Sequence, residues 1–225
     1  MIDSIVFDLD GTLIDSLPDV QASLNRLLAD ENRNGLSLDE LKTLIGHGVN
    51  PMIEGAYKLT GKPIASHDKR AESVKQYLQY YKEDPAGHTV VYPGVFETLK
   101  QLKTDGFIMG ICTNKPYEVS VLALQALGID SLFKGISGGD NYSFTKPDPR
   151  HVLHTLELMG SKPDRAVMVG DSHVDGEAGT KAGLPFILVS YGFKLSQKEP
   201  LEVDKIIDEF KMLPKVIAEL SAHRS

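Results

Sequence analysis

The sequence predicts an α/β protein: a doubly wound parallel sheet with an all-helical insertion after its first strand. Three observations lead to this. From residue 93 onward, short apolar runs alternate with stretches of helical spacing, the pattern of a parallel sheet covered on both faces. Between residues 16 and 84 the alternation stops and only helical spacing remains. The first apolar run, ending in Asp8-Leu9-Asp10-Gly11-Thr12, stands alone before that helical stretch. The expected division is therefore a core over residues 1–15 and 88–225 and a helical module over residues 16–87.

Residues 2–9 read as a buried strand, because Ile5, Val6 and Phe7 run together and Gly11-Thr12 supplies a turn. Leu17, Val20, Leu24, Leu27 and Leu28 then recur at helical spacing, and residues 30–35 form a polar break. Ser37 followed by Glu40 has the form of a capping box opening a helix through residue 45. Gly46-His47-Gly48 reads as a helix C-terminus and turn. Residues 51–59 and 68–81 continue the helical pattern. Past Pro93-Gly94 the spacing gives a helix over 95–102, a strand over 107–112, a helix over 117–127 and a short strand over 132–136. A helix over 150–159, a strand over 166–169, a helix over 176–182 and a strand over 185–189 follow. A strand over 203–207 and a helix over 208–220 close the pattern.

The composition narrows the function classes. With 24 Lys plus Arg against 31 Asp plus Glu, the 225-residue chain carries a net charge of −7. That balance argues against nucleic-acid or anionic-membrane partners, which need clustered cations. No apolar run approaches the ~18–20 residues of a membrane helix, and no basic segment precedes an apolar stretch as in a secretory signal. Cys112 is the only cysteine, which excludes an internal disulfide and a cysteine-only zinc site. A soluble, cytoplasmic protein is expected.

Four polar signals fall at the carboxyl ends of expected strands or in the loops beyond them, where open α/β sheets bind ligands. They are Asp8-Leu9-Asp10-Gly11-Thr12, Thr113-Asn114-Lys115, Lys146-Pro147-Asp148-Pro149 and Gly170-Asp171 with Asp175. Asp8 and Asp10 alternate on an extended segment, so both can face one pocket while Leu9 packs away. Asp171 adds a third carboxyl group from another strand. Carboxylates pressed together repel one another unless a cation relieves them, and an oxygen site of a few carboxylates suits Mg²⁺. Lys146 and Thr113 add a positive charge and a hydroxyl, which a bound phosphoryl group needs and a metal site alone does not. One aspartate could attack phosphorus while its neighbour serves as acid and base. The residues alone leave open which of Asp8 and Asp10 does which.

These four ordered motifs resemble those of the haloacid-dehalogenase superfamily, over nearly the whole chain and including the helical cap. The resemblance implies Asp8 as nucleophile and Asp10 as acid/base. It further implies Thr113 and Lys146 as phosphate holders, with Asn114 steadying that loop or touching phosphate. Mg²⁺ would be held by Asp8, the backbone carbonyl of Asp10 and Asp171, supported by Asp175. The segments 7–16 (FDLDGTLIDS), Leu44-Ile45-Gly46-His47-Gly48, Tyr92-Pro93-Gly94-Val95 and Lys146-Pro147-Asp148-Pro149 are most similar to the phosphoglycolate phosphatases. The expected partner is thus a small phosphorylated metabolite, 2-phosphoglycolate first among them. Sugar phosphates or pyrophosphate are the alternatives. A phosphomutase stays inside the superfamily. A receiver-like phospho-aspartate switch is a different class, opposed by the helical insertion and by Asp10. Gly176-Glu177-Ala178-Gly179 departs from the Ala-rich run usual in the motif.

Some features read more blandly. Thr113 could cap the helix after Pro116. His151 and His154 lack a nearby acidic third ligand and read as core or solvated histidines rather than zinc ligands. The hinge between the two parts is expected at residues 14–17 and 84–91.

Overall fold

The computed structural model describes residues 1–193 and 202–223. In chain order it begins with β1 (Ser4–Phe7), β2 (Ile14–Asp15), α1 (Leu17–Asp30), α2 (Leu38–Lys42), α3 (Val49–Leu59) and α4 (His67–Glu83). Then come β3 (Val90–Val91), α5 (Val95–Thr104), β4 (Ile108–Cys112), α6 (Tyr117–Ala126), β5 (Gly135–Ser137) and α7 (Pro149–Met159). β6 (Ala166–Gly170), α8 (His173–Lys181), β7 (Phe186–Val189), β8 (Lys205–Ile207) and α9 (Leu213–His223) complete it.

Six strands form one parallel sheet in the order β5-β4-β1-β6-β7-β8. Side-chain alternation divides its faces. Ile5 and Phe7 join Ile111, Val167 and Val169 against Leu99 and Leu102 of α5 and Val216 and Ile217 of α9. Val6 points the other way, with Met168, Phe186 and Leu188, beneath Val152 and Leu156 of α7 and Ala178 of α8. Both faces are covered, which is why these strands are apolar throughout rather than alternating. Phe7 pairs with both Ile111 and Val169, so the three central strands run level at their carboxyl ends. The chain fills one side of β1 through β4 and β5 and then crosses to β6. That reversal opens a crevice beyond the ends of β1, β4 and β6.

Helices α1 to α4 share a second apolar cluster, centred on Leu24, Leu28, Leu41, Ile53, Tyr57 and Tyr77, which meets the core through Val119 and Phe193. The capping box at Ser37 and Glu40 is present and starts α2. Gly46-His47-Gly48 leads into α3, with Gly48 at φ +89° as its N-cap, instead of ending α2, which stops at Lys42. Other boundaries shift for local reasons. Asp130–Leu132 winds into a 3-10 turn, so β5 starts at Gly135. Phe210–Met212 does the same ahead of α9. α8 starts at His173, because Ser172 and Asp175 form a second capping box. Pro116, not Thr113, stands at the N-cap of α6. Among the described residues no helix is long and apolar enough to cross a membrane.

The two chain crossings between core and helical module pair with each other. Ile14 and Asp15 of β2 lie antiparallel to Val91 and Val90 of β3. Beside them, the buried Asp19 carboxylate accepts from the backbone N–H of His88 (3.0 Å) and Thr89 (2.7 Å) and from the Thr89 hydroxyl (2.6 Å). Burial alone would raise the Asp19 pKa, but the hydrogen bonds from Thr89 and His88 outweigh it and hold the group below the usual carboxylate range. A carboxyl group whose pKa is lowered on folding stabilises the fold above its unfolded value and loses that contribution as pH falls through the folded one. Asp19→Asn should therefore cost about 1.5–3 kcal/mol at pH 7, the usual range for hydrogen bonds to a charged group. Urea unfolding should show that difference shrinking in acid; equal stability at pH 7 would refute the clamp.

Candidate active site

Asp8 follows β1 directly, and its N–H donates to Val169 of β6 at 2.9 Å. The chain then turns tightly, with the Leu13 N–H bonded to the Leu9 carbonyl at 2.9 Å and Gly11 at φ +85°. Gly11 is needed twice here. Its backbone is left-handed, and a Cβ would lie 2.4 Å from Asp171 Oδ2. Leu9 is fully buried, as alternation requires, while Asp8 and Asp10 face the crevice.

Asp171 follows β6, and its Oδ2 accepts from the Phe193 N–H at 2.8 Å. Asp175 lies in the first turn of α8. Its Oδ2 accepts from the Ser172 backbone N–H at 3.1 Å, and its Oδ1 from Lys146 Nζ at 2.6 Å. The same ammonium stands 2.8 Å from Asp8 Oδ1. Lys146 is thus a buried cation spanning two carboxylates. Burial works against its charge, but Asp175 and Asp8 outweigh that and keep it protonated.

Oxygens of Asp8, Asp171 and Asp175 all lie within 4.8 Å of one another. Burial first, and then the charge of Asp175, push Asp8 up to about 7 against the pull of Lys146. Burial, followed by Asp175 and Asp8, pushes Asp171 well above the carboxylate range. A crowded, oxygen-only donor set of this kind fits a hard divalent cation, which relieves the repulsion. The Asp10 carboxylate stands apart from these three. Its Oδ1 accepts from the Ser16 hydroxyl and, at 3.1 Å, from Lys115 Nζ.

Beyond β4, the Thr113 hydroxyl oxygen accepts from the Lys115 N–H at 3.1 Å. Both N–H groups of the Asn114 amide are engaged, on the Lys146 carbonyl (2.9 Å) and the Gly46 carbonyl (3.0 Å). Asn114 therefore ties the Lys146 loop to the helical module. Lys115 is the residue that sequence reasoning missed. Its side chain is only 7% exposed, and it also donates to the Tyr81 hydroxyl of α4 at 2.8 Å. The available signal was a lysine three residues past a strand end in a motif already marked as polar. Asp8, Asp10, Thr113, Asn114, Lys146, Asp171 and Asp175 all line one cleft, walled on the helical side by Ile45, Val49, Met52 and Tyr77. His151 and His154 are not in it; contrary to the expectation that they lack an acidic neighbour, His154 meets Glu157 at 2.8 Å, one helical turn on, and it stacks on Tyr142.

Residues 5–189 match the family model of the haloacid dehalogenase-like hydrolases. The chain is 38% identical over 218 residues to a phosphoglycolate phosphatase of Mesorhizobium japonicum, covering 96% of this chain and 94% of that one. It is 35% identical to a phosphoglycolate phosphatase of Caulobacter vibrioides, covering 94% and 89%. Among solved structures, a predicted phosphoglycolate phosphatase from Haemophilus somnus superposes with a TM-score of 0.87 at 33% identity, covering 96% and 98%.

Proposed function

Because the chain belongs to the haloacid dehalogenase-like hydrolases, we propose that it is a Mg²⁺-dependent phosphatase that hydrolyses 2-phosphoglycolate to glycolate and phosphate. The observation that carries this reading is the buried Lys146 ammonium held between Asp8 and Asp175, with Asp171 beside them at the carboxyl edge of the sheet. Such a cluster joins a carboxylate nucleophile to cations that balance a phosphoryl group. The phosphoglycolate phosphatases that match most of the chain support the choice of substrate.

An oxygen of Asp8 attacks phosphorus as the P–O bond to the glycolate oxygen breaks. Asp10, as general acid, passes a proton to that oxygen. Water then attacks the aspartyl-phosphate and loses a proton to Asp10, and the P–O bond to Asp8 breaks to free inorganic phosphate. Lys146 and the Thr113 hydroxyl bind the phosphoryl oxygens, where fixed charge contributes most. Asn114 positions the Lys146 loop. Asp8, Asp171 and the Asp10 backbone carbonyl would hold Mg²⁺, with Asp175 in support. When bound, the cation supplies charge neutralisation at the transferring oxygens. The helical module of residues 16–87 acts as a cap that shields the site from water. We place the enzyme in the cytoplasm, in keeping with a single buried, unpaired cysteine.

Phosphate release should be measured with Mg²⁺ and with EDTA on 2-phosphoglycolate, hexose phosphates, nucleoside monophosphates and pyrophosphate. Many turnovers per chain, lost in EDTA, with the highest kcat/KM for 2-phosphoglycolate, are expected. Even turnover across the other esters would keep the Asp8 chemistry and discard the substrate. One phosphoryl group retained per chain without release would discard the hydrolase.

A further inference from the structure

The cleft has two buried cations among its described lining residues, Lys115 and Lys146. Lys146 is committed to the phosphoryl end by Asp8 and Asp175. Lys115 pairs instead with Asp10, at 3.1 Å from its Oδ1, and reaches Tyr81 of the helical module. Its ammonium also sits 4.4 Å from the centre of the Tyr81 ring. An ammonium has three N–H donors; Asp10 and the Tyr81 hydroxyl engage two of them. Val20, Val49, Met52 and Val119 give the same cleft an apolar part of its wall.

On the proposed reading, the leaving oxygen must lie against Asp10 to receive its proton. A carboxylate on the next carbon then falls among the neighbours of Asp10. Between apolar walls a bare carboxylate would be severely destabilised. Lys115 is the cation at that position. We propose that Lys115 is the specificity-determining residue for the leaving group, binding a carboxylate one carbon from the ester oxygen, with the Tyr81 hydroxyl as the positioning group that fixes its ammonium. This inference rests on the phosphatase reading and adds the residue that selects an acidic leaving group. Tyr81 comes from α4 and Lys115 from the loop after β4, so the carboxylate site is complete only when helical module and core are together.

The test compares 2-phosphoglycolate with ethyl phosphate, the same two-carbon ester without its carboxylate, in the wild type and in Lys115→Met. The methionine keeps the length and burial of the side chain and removes its charge. The ratio of kcat/KM for the two esters should fall on the order of 100-fold in the variant, the scale for truncating one partner of a buried charge pair. Product inhibition by glycolate should weaken in parallel. A ratio left within threefold of the wild type, with both esters slowed alike, would overturn the proposal. Should Lys115→Met fail to fold, Tyr81→Phe is judged by the same ratio, with a smaller fall expected and an unchanged ratio counting against it. A wild type that hydrolyses neither ester would instead overturn the phosphatase reading itself.

Discussion

Asp8→Asn is expected to abolish phosphate release, by on the order of 10⁴-fold or more, as loss of a covalent nucleophile does elsewhere. An amide oxygen carries no full negative charge and its nitrogen lone pair is delocalised, so neither atom attacks phosphorus usefully. The side chain keeps its volume, and the fold should persist. The charge balance goes further. Asp8 is one of the groups that push Asp171 upward, so replacing it removes repulsion from a buried cluster. Lys146 retains its contact with Asp175 at 2.6 Å. Thermal unfolding without metal should therefore show the variant at least as stable as the wild type. A variant that still turns over would mean water attacks the ester directly and would end the covalent scheme. A variant that unfolds would show Asp8 to be structural.

Lys146→Ala carries the second large effect and should be visible in two measurements. Removing a preorganised charge from the transferring oxygens costs about 2–4 kcal/mol of transition-state stabilisation, or ~10²–10³-fold in rate. The same change leaves Asp8 and Asp175 facing each other in a buried site without the ammonium that touches both. Breaking a buried ion pair from one side costs about 3–5 kcal/mol of stability. Urea unfolding in EDTA should show that loss, and added Mg²⁺ should restore part of it by replacing the missing positive charge. Less than tenfold loss of rate together with unchanged stability would reduce Lys146 to a space-filling role.

Much of the fold was legible because it depends on patterns that repeat within one element. The run Ile5-Val6-Phe7 marked the central strand, and Ser37 with Glu40 marked the start of α2. Features set by partners distant in sequence were not legible. β2 and β3 have two residues each, too few to establish a period, and exist because they find each other. Spacing alone starts α8 only at residue 176, since Gly176 and Gly179 dilute the helical signal and its first turn depends on Ser172 capping with Asp175. The candidate site follows the same rule. Strand-end carboxylates stood out by spacing. Lys115 did not, because a lysine in a loop looks solvated until Tyr81, 34 positions earlier in the chain, is brought against it.

The pairing of Asp15 with Val90 also bears on how such a chain can change over time. Entrance and exit of the helical module lie side by side, so from the standpoint of the sheet the whole module is a single closed loop. The entropy of closing a loop grows only with the logarithm of its length, by about 0.6 kcal/mol per doubling. Lengthening, shortening or exchanging everything beyond this stem therefore perturbs the sheet little. The strand-end carboxylates of the core and the apolar wall that the module lays over them can be inherited separately.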